Sequence, residues 1–313
     1  MGRSVKKVVL YIALTFVISY SMAGMYVIAG GKTTNVGIIY LALAYMLVPM
    51  AVTIIIQKFV YRESLIQPLG IVLKFNLWFF VAWFMPVLIA VATMGISLLI
   101  PGVSFTPDMS GFLPQMLSSL STEQADQVRN FIGGLPVHFF WATLIQALIA
   151  GTTVNALFAL GEEIGWRGLL LNELKFLGFW KSSAVIGIIW GLWHAPLILM
   201  GLNYPEHPQL GLLMMSVWTL LSSPIFSYIK LRSKSIFAVS IFHGTVNASP
   251  ALALMCISGG NDLLTGITGL AGFIVIAAID LFLFIYDRYL TAVPIDNLIK
   301  IPLTEESNKN ASG

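Results

Sequence analysis

Charge is scarce in this chain. Only 10% of its 313 residues are Asp, Glu, Lys or Arg, against about 25% in a soluble domain. That deficit excludes an ordinary water-facing surface and predicts a membrane protein. Cysteine is almost absent too. The single Cys256 rules out an intrachain disulfide framework. A formal net charge of +3 is too small to imply a nucleic-acid partner, and none is expected. There is no H-E-x-x-H motif, the usual sequence mark of a zinc protease helix. Internal repeats and low-complexity linkers are also missing.

What the chain has is apolar length. A helix needs about 20 apolar residues to cross the hydrocarbon of a bilayer. Eight segments qualify: roughly 8–30, 36–57, 77–100, 137–160, 182–201, 210–229, 235–258 and 263–286. The first exceeds the apolar length of a signal peptide and reads as a span. The expected fold is therefore all-α: a polytopic membrane helical bundle of about eight transmembrane helices. Lys and Arg in the successive connections alternate between many and few. Of the 17 basic residues, 15 fall on one side of this plan and two, Lys32 and Arg129, on the other. The positive-inside rule then puts the N- and C-termini in the cytoplasm.

Two connections are more than turns. Residues 101–135 form an outside loop in which "TEQADQVRNFI" predicts a short helix capped by Thr122. Residues 168–180 mix Leu and Phe with Glu173 and Lys175, the pattern of a helix lying along the interface. The polar tail, 304–313, reads as disordered. Glu206 and His207, in an outside loop, read as solvated.

Ionisable side chains at membrane depth are costly, so each is a functional candidate. Glu162, Glu163 and Arg167 close the fourth apolar segment in "GEEIGWRG", and His194 lies in the fifth within "WGLWHAP". His243 and Asn247 lie in the seventh within "HGTVN", and Asp280 in the eighth, where a structural role beside a Ser, Thr or Lys is expected. Residues four apart share a helix face. That spacing pairs Glu163 with Arg167 and turns Glu162, about 100° away, toward something else. It also sets His243 with Asn247 on one face and packs Trp190 against His194. "GIIWG", with Gly187 and Gly191, fits a close helix-packing motif. At about 1.5 Å per residue, His194 lies roughly 18 Å and His243 roughly 12 Å from the cytoplasmic ends of their helices, with Glu162 near the membrane edge. If the fourth helix runs on past its apolar boundary, these residues surround one cavity open toward the cytoplasm.

Together, E-E-x-x-x-R in "EEIGWR", aromatic-x-x-x-H in "WGLWH" and H-x-x-x-N in "HGTVN" resemble the CAAX prenyl protease and bacteriocin-processing (CPBP) family of intramembrane proteases. That family includes the type II CAAX prenyl endopeptidases. Trp190 stands where Phe is usual. The resemblance spans 137–260 as the catalytic core, with 1–136 contributing three helices and the outside loop, and 261–313 the last helix and the tail. It implies that Glu162 acts as general base on a water, helped by His194. His243 and Asn247 would stabilise the oxyanion, and Glu163, Arg167 and Trp190 would support the site. Metal use stays open: Glu162, His194 and His243 would be the ligands of a divalent ion such as zinc, and an acid-activated water needs none. The implied partners are the lipid bilayer and a membrane protein or peptide, either a CAAX-type or a bacteriocin-like substrate. A multi-pass protein of a prokaryotic plasma membrane is expected, with its active site toward the cytoplasm. A proton-coupled transporter, or a non-catalytic immunity protein of the same fold, are the competing readings.

Overall fold

The computed structural model describes residues 2–31, 37–118 and 120–300. Lys32 and the tail 304–313 lie outside these residues. Each of the eight apolar segments contains a helix. The principal helices are α1 (Arg3–Ile28), α2 (Gly37–Ile54), α3 (Leu77–Ser97), α4 (Thr122–Gly133), α5 (Phe139–Thr152), α6 (Val154–Glu163), α7 (Phe179–Trp193), α8 (Pro208–Ser233), α9 (Ile236–Ala248) and α10 (Leu270–Ile285). The sole strand pair among the described residues joins β1 (Ser104–Phe105) to β2 (Ile257–Ser258) in antiparallel register.

The count of spans differs from the eight expected. Among the described residues five helices are long and apolar enough to cross a membrane, or six if α5 and the helix running from Val154 to Leu177 make one broken span. α7 has 15 residues and α9 has 13, short of the roughly 20 needed for a full crossing. Apolar length in sequence overstated these two because each apolar run continues through a break. α7 stops at Trp193 because Pro196 cannot donate to the carbonyl of Leu192. That carbonyl instead accepts the hydroxyl of Tyr20 at 2.6 Å, and the carbonyl of Trp193 accepts Tyr45 Oη at 2.8 Å. Such rescue of freed backbone groups by neighbouring helices is what permits broken helices at membrane depth.

α5 and α6 meet at Thr153, whose φ and ψ of −115° and −99° leave the helical region, and the axis bends by 46°. Thr153 Oγ1 donates to the carbonyl of Ile149 at 2.7 Å, satisfying an acceptor that the bend frees. After Glu163 the helix does not end. It continues through a π-helical stretch, Ile164–Leu170, and on to Leu177. Residues 168–177 thus extend this helix, with Leu169, Leu170, Leu171 and Leu174 buried, rather than forming the separate interfacial helix expected. Their leucines face protein, not lipid.

Small residues let the helices approach closely. A Cβ on Gly187 would sit 2.7 Å from Leu220 Cα, and one on Gly191 would sit 2.6 Å from Ser216 Cα. The expected packing motif is therefore the contact between α7 and α8. Gly244 brings α9 against the bend in the same way, since a Cβ there would meet Gly151 O and Ala156 N at 2.5 Å.

Hydrogen bonds tie the bundle at each end. At one end Lys7, only 1% exposed, bridges Glu63 and, at 2.7 Å, Glu173. Asn76 Nδ2 donates to Ser233 O at 3.0 Å, and Asp296 accepts the Phe179 backbone N–H at 2.9 Å. At the other end β1 pairs with β2, and Tyr204 Oη donates to Thr268 O at 2.7 Å. Asp262 accepts the backbone N–H groups of Glu206 and His207 and lies 2.6 Å from His207 Nδ1. The loop of Glu206 and His207 is thus anchored rather than simply solvated. Within 101–135, α4 forms as expected but with Ser121 as its cap: Ser121 Oγ accepts from Gln124 N while the Gln124 side chain accepts from Ser121 N. That reciprocal pair explains the one-residue shift from Thr122.

Candidate active site

Glu162, Glu163, Arg167, Trp190 and His243 are all buried, each 3% exposed or less. They come from three elements: α6 with its π-helical continuation, α7 and α9. Glu163 and Arg167 pair as their spacing predicts, with Nη1 3.1 Å from Oε1. The guanidinium is also covered by two rings, lying 4.5 Å from the centroids of both Trp190 and Phe226. Its Nη2 donates to Ser223 Oγ at 3.4 Å. A buried charge is tolerated only when paired and packed in this way.

Glu162 turns the other way, into a cavity of about 820 Å³ that His194, His243 and Asn247 also line. Its Oε2 accepts two indole N–H groups, Trp190 Nε1 at 2.7 Å and Trp166 Nε1 at 3.2 Å. Among the described residues no side chain donates to its Oε1. One oxygen is therefore fixed and the other is available in the cavity.

The histidine tautomers follow from their partners. His194 Nδ1 lies 2.8 Å from the carbonyl of Trp190. A carbonyl only accepts, so Nδ1 carries the hydrogen and Nε2 of the neutral ring keeps its lone pair. His243 Nδ1 lies 2.8 Å from Glu163 Oε1, so here too Nδ1 donates and Nε2 is left over. Trp190 packs against both rings, with centroids 5.8 Å from His194 and 5.4 Å from His243. Asn247, one turn beyond His243 on α9, is exposed and lines the cavity.

All seven expected site residues thus come together, four of them on the cavity with Trp190 and two behind it. Trp166 was missed, although it stands four residues after Glu162 and the spacing that paired Glu163 with Arg167 applied equally to it. The link from Glu163 to His243 spans 80 residues, and nothing local announced it. Asp280 does not join the site, and its Oδ1 has no hydrogen-bond partner among the described residues, contrary to the polar partner expected. Cys256 is buried beside Met109 and Met255.

The expected metal set does not fit as placed. Zinc ligands about 2 Å from the ion lie about 3–3.5 Å from one another. Among the described residues only Glu206, His207 and Asp262 bring three ligand atoms within 4.8 Å of each other. Glu162, His194 and His243 do not converge to that degree.

The cavity lining is the other departure. Its walls reach the loops around Phe112, Gln115, Asn203, Glu206 and Asp262. These belong to the connections expected outside, not to the basic end of the bundle. None of the basic segments lines the cavity, and depth along single helices did not foresee this, because the breaks at Thr153 and Pro196 turn the chain in ways a ruler along one helix cannot see.

Residues 136–249 match the model of a protein family described as type II CAAX prenyl endopeptidase Rce1-like. That segment, about a third of the chain, is similar to the type II CAAX prenyl endopeptidases. The matched segment contains Glu162, Glu163, Trp166, Arg167, Trp190, His194, His243 and Asn247. This chain is also 33% identical over 101 residues to a protein named CAAX prenyl protease 2 from Methanococcus maripaludis, covering 29% of this chain and 36% of that relative. With its apolar spans, this chain is an integral membrane protein.

Proposed function

We propose that this protein is an intramembrane endopeptidase that hydrolyses a peptide bond of a membrane-associated protein or peptide. The observation that carries this reading is the cavity face shared by Glu162, His194, His243 and Asn247. Glu162 offers one oxygen held by two indoles and one free oxygen, the arrangement of a fixed general base. The free oxygen takes a proton from water, His194 Nε2 orients that water, and the oxygen of the water adds to the scissile carbonyl carbon. His243 Nε2 and the Asn247 amide donate to the oxyanion that forms. For both His243 nitrogens to donate, the ring must carry two protons, and the Glu163 carboxylate at 2.8 Å stabilises that cation. Glu162 then returns its proton to the departing amine. The residues provide every proton transfer, so no step is routed through a metal. The family and the relative's name favour a CAAX-type substrate.

The test compares the membrane peptidomes of cells producing the wild type and Glu162→Gln at equal levels. Peptides that depend on Glu162 are expected. Identical peptidomes, or full cleavage of a wild-type substrate by Glu162→Gln, would refute the proposal.

A further inference from the structure

The two ends of the bundle carry opposite charge. The basic end, joined by Lys7, Asn76 and Asp296, consists of residues 2–7, 58–76, 175–181, 230–234 and 287–300 and carries thirteen Lys and Arg. Arg167 is not part of this tally, because it is buried in the site against Glu163. The mouth end consists of residues 98–138, 200–207 and 255–269. Among the described residues its one basic residue is Arg129, itself paired with Asp126 at 2.9 Å; Lys32, in the connection after α1, falls on the same side in the sequence. Five acids, Asp108, Glu123, Asp126, Glu206 and Asp262, stand at that end.

Connections rich in Lys and Arg stay in the cytoplasm, because moving them across the membrane against its potential is disfavoured. An asymmetry of thirteen to two leaves one orientation. The opposite orientation would export all thirteen and retain an acidic face. The cavity that holds Glu162 reaches the acidic loops and none of the basic segments. Gln115 and Glu206, both exposed, stand in its wall.

We infer that the cavity opens on the face of the membrane away from the cytoplasm, so that it takes peptide segments exposed on that far side. This names the substrate class for the proteolytic reading and rests on it for what is cleaved. The sidedness stands on charge and geometry alone. A CAAX-type substrate would have to present its cleaved segment there.

The experiment uses the full chain with Cys256→Ser, so that each introduced cysteine is the sole thiol. Gln115→Cys and Glu206→Cys report the mouth, and Lys58→Cys and Lys181→Cys report the basic end. Intact cells are treated with a membrane-impermeant maleimide, with permeabilised cells as the reference. Gln115→Cys and Glu206→Cys are expected to react in intact cells, and Lys58→Cys and Lys181→Cys only after permeabilisation. Reaction of Lys58→Cys in intact cells, or of Gln115→Cys only after permeabilisation, overturns the inference. Peptides lost in Glu162→Gln membranes should derive from far-side segments, and a purely cytoplasmic origin would also overturn it. If no peptide depends on Glu162 while the labelling pattern holds, proteolysis is refuted and the sidedness stands.

Discussion

Glu163 Oε1 lies 2.8 Å from His243 Nδ1 and 3.1 Å from Arg167 Nη1. One carboxylate thus joins two of the sequence motifs. It fixes the ring that faces the cavity and neutralises a guanidinium that is fully buried. Glu162, its neighbour in sequence, has neither duty.

This difference separates the two acids experimentally. Glu163→Ala leaves Arg167 buried without its counter-ion, which costs about 3–5 kcal/mol when one partner of a buried pair is removed. A clear fall in melting temperature in detergent is expected, together with loss of activity. Glu162→Gln keeps the shape and an acceptor oxygen for the indoles, so it should melt near the wild type while cleaving nothing. Equal destabilisation by both would contradict the assignment.

The indole clamp on Glu162 predicts a second pattern. A hydrogen bond to a charged group contributes about 1.5–3 kcal/mol, and about 1.4 kcal/mol is tenfold in rate. Trp190→Phe and Trp166→Phe should each lower kcat by about tenfold through freedom of Glu162. The double variant should lose more than either. Unchanged kcat in the double variant would show that the clamp has no part in positioning the base.

Helix approach supplies a third. Gly187→Leu must displace backbone atoms of α8 lying 2.7 Å from the added Cβ. Overpacking of this kind costs about 1–3 kcal/mol. Lower yield and melting temperature are expected, whereas Gly2→Leu, where an added Cβ meets nothing within 4 Å, should be silent.

Metal removal gives a fourth. Glu162, His194 and His243 do not bring their ligand atoms together, so EDTA treatment of the purified protein should leave cleavage unchanged. Loss of activity restored by zinc would show that the rings turn to form a metal site.

The helical content and the membrane setting were legible because apolar composition is a local property. So were the contacts of Glu163 with Arg167 and Trp190 with His194, because a helix brings residues four apart together wherever it lies. Helix length was less legible: hydropathy does not register that Pro196 removes a donor or that Thr153 leaves the helical region, and the apolar runs continue through both. Residues 168–177 looked interfacial because a leucine facing protein and a leucine facing lipid read alike.

By itself the sequence determined an all-α membrane chain, the charge asymmetry of its ends and the identities of the candidate site residues. Tertiary structure alone decided that Glu163 meets His243, that two indoles from different helices hold one oxygen of Glu162, and that the cavity is lined by the acidic loops and by none of the basic segments. Each of these depends on how separate helices cross. Helix crossing is set by small residues such as Gly187 and Gly244 and by breaks at Thr153 and Pro196, whose consequences appear only when the helices pack.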